Sequence, residues 1–447
     1  MEQKHLFSNK YLLRLLIPIM AEQFLTSLMG LADSMMVSNV NEYSLGAVQL
    51  VDSINILVNQ AFAALATGGV VICSNYIGQK NMEKAATSAR QVTLVAFMLS
   101  SVIMIFCLIF RNGILNLIFG KVEPLLMTEA RIYFLITILS FPGIALYNAG
   151  AAIYRAQGNT SKPLIISIVC NAINIVGNAI FIYVFDMGVA GAALSTLISR
   201  YLSFMAVYAM LHKKGQQIVV DNYKDIRPDF TIIKRILGLG IPNGIENSMF
   251  QFGKLLIQST VSTMGTIAIT AQSMTNIMEN VNGVAACGVG IGLMTVVGQS
   301  LGAGRKDEAI YYIKKLAVWA EVAIILSCLF VFALRGQITN LGGLNADSAA
   351  LCMQMVTYIT IVKTLFWVPS FLTAYGMRAA GDVRFSMILS SISMWVSRVG
   401  VCMFLVYVVG FVSPIAVWIG MFTDWFVRGV FFTIRFKSGK WLQHKVA

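Results

Sequence analysis

The sequence predicts an all-α polytopic membrane protein with twelve transmembrane helices in two six-helix lobes, related by a pseudo-two-fold axis along the membrane normal. Three observations predict this fold class. Of 447 residues, 57% are hydrophobic and only 12% are charged, which is too apolar for a soluble domain. Apolar runs of about 20 residues or more, long enough to cross a bilayer, recur along the chain. The second half of the chain also repeats the first.

Apolar length between polar breaks separates twelve predicted spans. They cover residues 12–37, 46–75, 90–110, 130–155, 161–184, 189–211, 234–262, 268–298, 313–334, 349–377, 384–408 and 413–434.

The charges between the spans predict their orientation. The chain has 33 Lys and Arg against 20 Asp and Glu, and most basic residues lie in the loops of one side. The opposite side holds only Arg111, Lys121, Arg131 and Arg335. The positive-inside rule makes the basic side cytoplasmic, and an even number of spans places both termini there. Because this pattern explains the basic excess, we expect no nucleic-acid partner.

The internal repeat divides the chain into an N-terminal lobe, residues 1–211, a cytoplasmic linker, residues 212–232, and a C-terminal lobe, residues 233–447. A shift of 224 residues places Glu22 on Glu246 and Gly68 on Gly292. Each half has an even number of spans, so the halves are parallel repeats. Duplicated halves with a site between them are typical of secondary transporters.

Several separated motifs resemble the multidrug and toxic compound extrusion (MATE) family of bacterial type. They are Leu-Ile-Pro and Gly-Leu-Ala-Asp-Ser-Met-Met-Val within 15–37, Tyr-Arg-Ala-Gln-Gly-Asn-Thr at 154–160, Asn-Ile-Val-Gly-Asn at 174–178, Gly-Val-Ala-Gly-Ala-Ala at 188–193, Val-Gly-Gln-Ser-Leu-Gly-Ala-Gly at 297–304, and Asp-Trp-Phe-Val-Arg with Arg-Phe-Lys-Ser-Gly-Lys-Trp within 424–441.

The resemblance implies an efflux antiporter that exchanges protons or sodium ions for small organic, often cationic, compounds by alternating access. We expect a monomer in the plasma membrane of a prokaryote, without a cofactor beyond the transported H⁺ or Na⁺. A flippase of lipid-linked precursors is the alternative. It would be expected to show a strongly cationic cleft, whereas the intramembrane bases here have acids to oppose them. An enzyme is not expected, because the spans hold no nucleophile-base or metal constellation.

Four polar residues of the N-terminal lobe are the predicted cation-coupling site. Asp33 lies in the outer third of the first span, and Asn174 and Asn178 lie one turn apart in the fifth. Thr196 of the sixth span falls at a similar depth. A carboxylate, two amides and a hydroxyl can hold a proton-linked network or provide oxygen ligands for Na⁺. No other metal site is predicted.

Two comparisons bear on this site. Many MATE proteins have an aspartate where this chain has Asn178, so proton and sodium coupling both stay open. The repeat places Ile257 opposite Asp33, which favours function over shared architecture. Simple hydrogen bonding between helices is the competing interpretation.

Glu246 and Glu279 are the alternative coupling residues, in the C-terminal lobe. Both acids fall near mid-membrane, as do Lys363 and Arg398, so buried ion pairs would explain them equally well. Glu246 resembles an acid that some MATE branches use for substrate or proton.

Met and aromatic residues are the predicted lining of a substrate cleft, because soft and aromatic side chains adapt to varied ligands. Plain packing is the competing interpretation. The candidates are Met36, Tyr147, Phe250, Met274 and Met278.

Overall fold

The structure, a computed structural model, describes residues 5–38, 42–119, 123–213, 215–220, 227–444 and 446. Thirteen long helices run through these residues in chain order. They are α1 Asn9–Ser38, α2 Glu42–Gly78, α3 Met82–Phe119, α4 Pro124–Leu139, α5 Phe141–Ala156, α6 Ser161–Val184, α7 Gly188–Leu211, α8 Phe230–Ser262, α9 Thr266–Gly302, α10 Lys306–Leu341, α11 Ala346–Ala379, α12 Val383–Val408 and α13 Ile415–Lys437.

The helices make twelve membrane passes in the order that the sequence predicts. Ten of them are long and apolar enough to span a membrane, and α4 with α5 forms an eleventh pass with a bend of 43°. The twelfth is α8, which has 33 residues but is interrupted by polar side chains such as Glu246 and Lys254. Several helices extend well beyond their predicted spans, because the bilayer sets the length of the apolar run and not that of the helix.

The bend between α4 and α5 has a local cause. Pro142 in the first turn of α5 has no N–H to donate, so the hydrogen-bond ladder of α4 ends at Ser140. The Ser140 hydroxyl donates to the Thr137 carbonyl at 2.6 Å and accepts from Nη1 of Arg200 at 2.6 Å. The bend therefore supplies a polar partner for a charged side chain of α7.

Three passes contain π-helical stretches. Ala179–Val184 ends α6, Val368–Leu372 interrupts α11 at Pro369, Ser393–Gly400 lies within α12, and Phe404–Val408 ends α12. Such stretches often mark functional sites, because they rotate side chains out of the regular helical register. Asn178 is the last residue before the first of them, and Arg398 lies inside the third.

The chain forms two compact units. The C-unit combines Met1–Gln23 with Ile245–Ala447, and the N-unit is Phe24–Gly244. Both divisions fall within a helix, in α1 and in α8, a few residues after a proline. The predicted lobes had their boundary in the connection 212–232, part of which lies outside the described residues. That boundary stays a prediction.

Gly68 and Gly292, which occupy equivalent positions in the two repeats, make equivalent helix contacts, one in each unit. In the C-unit, a Cβ on Gly292 would lie 2.4 Å from the side chain of Leu16. In the N-unit, a Cβ on Gly68 would lie 2.8 Å from the Ile236 carbonyl oxygen and 3.4 Å from the nitrogen of Gly240. Gly68 and Gly292 are repeat partners, as are Leu16 and Gly240. The first part of α1 thus packs on α9, and the first part of α8 packs on α2.

Small residues bring the helices of the N-unit together. Helix α5 contacts α2, α3 and α7, and its buried side includes Gly143, Gly150 and several alanines. Lipid tails are as apolar as leucine side chains, so close packing and interhelical hydrogen bonds hold such helices together. A Cβ on Gly143 would lie 3.3 Å from the carbonyl carbon of Arg200, and this close approach fixes α7 beside α5.

Candidate functional site

Asp33 of α1 is held by two asparagines of α6 in the N-unit. The Nδ2 atom of Asn178 donates to Oδ1 of Asp33 at 2.7 Å. With its amide oriented to suit both neighbours, Asn174 donates to the same Oδ1 at 2.9 Å and accepts from the backbone N–H of Thr196 at 3.3 Å. The hydroxyl of Thr196 lies 3.4 Å from the Asn174 amide. The structure therefore brings together all four residues of the predicted coupling site.

The packing of α7 on α6 fixes the two asparagines. The Ser195 hydroxyl donates to the backbone carbonyl of Asn174 at 2.7 Å. A Cβ on Gly177 would lie 2.5 Å from that hydroxyl oxygen, so only glycine permits this approach. Because Asn174 and Asn178 are one turn apart, fixing this part of α6 directs both amides to the same carboxylate.

One acceptor of the site has no partner among the described residues. Asn178 is only 1% exposed, and its Oδ1 atom accepts no hydrogen bond. The hydrogen bonds from the two asparagine side chains both end on Oδ1 of the Asp33 carboxylate, so neither of them reaches Oδ2. The site therefore offers carboxylate and amide oxygens, the ligand types that Na⁺ takes, and a carboxylate that can accept a proton.

Asp52, Tyr133 and Arg200 extend the site beyond the predicted residues. Oδ1 of Asp52 accepts from Asn55 at 3.1 Å and from the hydroxyl of Tyr133 at 3.4 Å. The charges of Asp33, Asp52 and Arg200 act on one another. Sequence reasoning missed the role of Asp52, although it lies in a predicted span and the repeat places a neutral residue, Asn276, opposite it. The comparison of the two repeats, which placed a neutral residue opposite Asp33, would also have drawn attention to Asp52.

The two alternative coupling acids of the C-unit have separate basic partners. Oε1 of Glu246 lies 2.6 Å from Nη2 of Arg378, and its Oε2 accepts from Ser386 at 3.3 Å. Oε1 of Glu279 lies 2.6 Å from Nζ of Lys363, which is fully buried. Each acid thus forms its own ion pair. Ion pairing was the alternative to coupling that the sequence left open for these two acids.

The predicted cleft residues are divided between the two units. In the N-unit, Met36 packs against the apolar core, and the Tyr147 hydroxyl donates to the carbonyl of Pro163 at 3.4 Å. In the C-unit, Met278 is 2% exposed, Met274 packs against Gly342, and Phe250 lies beside an apolar cluster. Their role as a substrate lining stays a prediction.

Comparison with a family sequence model independently finds the repeat. The model described as MatE matches residues 18–180 and again residues 242–404. The two matches begin 224 residues apart, which is the offset of the internal repeat. Together they cover more than half of the chain.

Relatives and a solved structure match nearly the full length. The "Uncharacterized transporter YisQ" of Bacillus subtilis is 26% identical, covering 96% of this chain and 94% of its own. The "Probable multidrug resistance protein NorM" of Thermotoga maritima is 24% identical, with coverages of 98% and 94%. An outward-facing multidrug resistance MATE family transporter of the MOP superfamily is 22% identical over 96% of each chain, with a TM-score of 0.86. This likeness confirms the predicted fold class.

Proposed function

The chain belongs to the MatE family, and from this premise we propose that it is a secondary active efflux transporter. It exports small organic compounds in exchange for H⁺ or Na⁺ by alternating access. Relatives named as multidrug resistance proteins support export. The observation that carries the proposal for coupling is the hydrogen-bonded group of Asp33, Asn174 and Asn178.

The charge of the N-unit site fits the uptake of one monovalent cation. Asp33 and Asp52 carry two formal negative charges, and Arg200 carries one positive charge. Together these three groups carry one net negative charge inside a membrane-spanning bundle, where unbalanced charge is costly. One proton or one Na⁺ makes the group neutral. The buried acceptor Oδ1 of Asn178, which has no partner among the described residues, provides an oxygen for that cation.

Binding of the cation changes the contacts between α1 and α6. With Asp33 ionised, its Oδ1 accepts from both asparagines, and charge-assisted bonds of this kind are roughly twice as strong as neutral ones. Protonation or Na⁺ coordination withdraws charge from the carboxylate and weakens both bonds. A ligand shifts a conformational equilibrium only by its different affinities for the two states. The altered α1–α6 contact is the physical source of that difference.

The two alternative coupling acids of the C-unit are less suited to this role. Glu246 and Glu279 are each paired at 2.6 Å with a base. Cation binding to either would have to displace the partly buried Arg378 or the fully buried Lys363, which would leave that base without a partner. We therefore place coupling in the N-unit. We further propose that the protein is a monomer in the plasma membrane and that both of its termini are cytoplasmic.

Dye efflux from proteoliposomes tests the proposed function. Purified protein is reconstituted with a fluorescent dye inside, and an inward gradient of H⁺ or of Na⁺ is imposed separately. We expect one of the two gradients to accelerate efflux, and an ionophore that dissipates it to abolish the acceleration. Efflux that responds to neither gradient would overturn the proposal of ion-coupled export.

A further inference from the structure

Phe250 of α8 lies beneath three cationic side chains of the C-unit. The ring centroid is 5.0 Å from Nζ of Lys254, 5.1 Å from Cζ of Arg398 and 5.5 Å from Cζ of Arg428. All three distances are within the range of cation–π attraction. We call these four residues the Phe250 cluster. Its cations come from α8, α12 and α13, so the fold brings them together from distant parts of the sequence.

One carboxylate serves two of these cations. Oδ1 of Asp424 accepts from Nε of Arg428 at 2.7 Å and from the Ser393 hydroxyl at 2.6 Å. Its Oδ2 lies 4.0 Å from Nη1 of Arg398, at the limit of an ion pair. Arg428 is therefore neutralised directly, whereas Arg398 has only a distant share of the same charge.

Arg398 is buried with an unused donor. Its residue is 7% exposed, and its Nε atom has no hydrogen-bond partner among the described residues. A buried donor without an acceptor destabilises the folded protein, and a charged donor does so more strongly. The Nε–H group of Arg398 is thus unused, and the nearby Oδ2 of Asp424, 4.0 Å from Nη1, also has no hydrogen-bond partner among the described residues.

Lys254 forms no ion pair within the described part of the chain. Its side chain is exposed, and its charge interacts with those of Arg398 and Glu279. The neighbouring pair of Lys363 and Glu279 is already balanced at 2.6 Å. Across the cluster and this pair, the described residues place four bases beside two acids, Asp424 and Glu279. Two positive charges therefore have no matching acid in the described part of the chain.

We propose that the Phe250 cluster binds the negatively charged group of an amphipathic organic compound, with Lys254 and Arg398 contacting the anion. The group is a carboxylate, sulfonate or phosphate, whose oxygens match ammonium and guanidinium donors. The apolar part of the ligand packs against Phe250. This inference rests on the proposed export function and names its substrate class as anionic or zwitterionic compounds. It takes the place of the cationic class expected from the resemblance.

The distances explain why the sequence led to a different expectation. From the sequence alone, the intramembrane acids are expected to oppose the intramembrane bases. In the structure Glu246 instead pairs with Arg378 near the end of α11, outside the Phe250 cluster. Glu246 therefore pairs outside the cluster and Glu279 pairs with Lys363, so Asp424 is the one acid among the described residues that forms ion pairs with the cluster.

Binding of two aromatic dyes of opposite charge tests the inference. Fluorescein is anionic and ethidium is cationic, and fluorescence anisotropy with purified full-length protein in a neutral detergent measures both affinities. No gradient is present, so the result does not depend on whether coupled export occurs. We expect fluorescein to bind and Lys254→Gln to weaken its binding at least about tenfold, which equals about 1.4 kcal/mol. Ethidium binding should not weaken in this variant.

Two further variants control for charge and folding. Lys254→Arg keeps the positive charge and should bind fluorescein within about threefold of the unsubstituted protein. Lys234→Gln removes an exposed charge near the start of the same helix and should change nothing. Lys254→Gln should keep its melting temperature, because Lys254 has no ion pair among the described residues. Absence of fluorescein binding, or equal binding by the Lys254→Gln and Lys234→Gln variants, would overturn the inference.

Nanodiscs distinguish a soluble anion from a lipid head group. Fluorescein binding is compared in phosphatidylcholine discs with and without anionic phosphatidylglycerol. Binding unchanged by phosphatidylglycerol supports a site for soluble compounds. Loss of dye binding, together with tighter binding of phosphatidylglycerol to the unsubstituted protein than to Lys254→Gln, supports the same anion site with a lipid as its ligand.

Discussion

Nδ2 of Asn178 donates a 2.7 Å hydrogen bond to Oδ1 of Asp33, while Oδ1 of the same amide has no partner among the described residues. One side chain thus both positions the carboxylate and keeps an oxygen available beside it. We propose that this pairing gives Asn178 a role in cation binding in addition to its contact between α1 and α6.

Replacing Asn178 tests that dual role. Asn178→Ala removes a hydrogen bond to a charged group, worth about 1.5–3 kcal/mol, together with the available oxygen. We expect gradient-driven dye efflux to fall at least about tenfold. Asn171→Ala is the matched control, because among the described residues the Asn171 amide forms a side-chain hydrogen bond only with Ser167 of its own helix. Equal efflux by the two variants would contradict a special role for Asn178.

Glu246 tests the architectural interpretation of the C-unit pairs. Glu246→Gln leaves Arg378 without its carboxylate, and breaking a buried pair from one side costs about 3–5 kcal/mol. We expect a lower melting temperature and lower expression, while the protein that folds still transports. Removing both charges in Glu246→Gln with Arg378→Gln should recover part of the stability. A normally folded Glu246→Gln protein without ion-coupled efflux would instead make Glu246 a coupling residue.

Gly68 tests the repeat-matched contact of the N-unit. In Gly68→Ala the new methyl group would lie 2.8 Å from a backbone oxygen of α8, and backbone cannot move aside as a flexible side chain can. We expect a clear drop in melting temperature. Gly113→Ala is the control, because nothing lies within 4 Å of its Cβ position and alanine favours helix. A drop of the same size in both variants would contradict the contact.

Cysteine labelling tests the orientation of the passes. We expect a cysteine replacing Lys121 or Asn345 to react with an impermeant maleimide from outside the cell, and one replacing Lys214 to be protected. Lys121 and Lys214 lie outside the described residues, so these positions rest on the charge pattern of the sequence. The seven native cysteines are free thiols, and the labelling therefore needs a cysteine-less background. Reactivity with the opposite sidedness would contradict cytoplasmic termini.

The sequence predicted what depends on apolar length and repetition. Twelve passes and the proximity of Asp33 to Asn178 follow from run lengths, helical rise and the lack of an acid opposite Asp33. The ion-pair partners of charged residues could not be predicted from the sequence, because several bases lie at a depth similar to that of Glu246. The assignment of the first part of α1 to the C-unit also depends on close packing at Gly292. Sequence periodicity does not reveal such a contact.

The central claim is that Asp33 couples ion entry to export. Asp33→Asn permanently mimics the neutral carboxyl group, and efflux under the effective H⁺ or Na⁺ gradient measures its effect. We expect the variant to fold and to bind dye, but to lose the gradient-dependent part of efflux. The control Asp347→Asn, at an exposed acid in the first turn of α11, should export normally. Undiminished gradient-driven efflux by well-folded Asp33→Asn protein would contradict the account and move coupling to the C-unit.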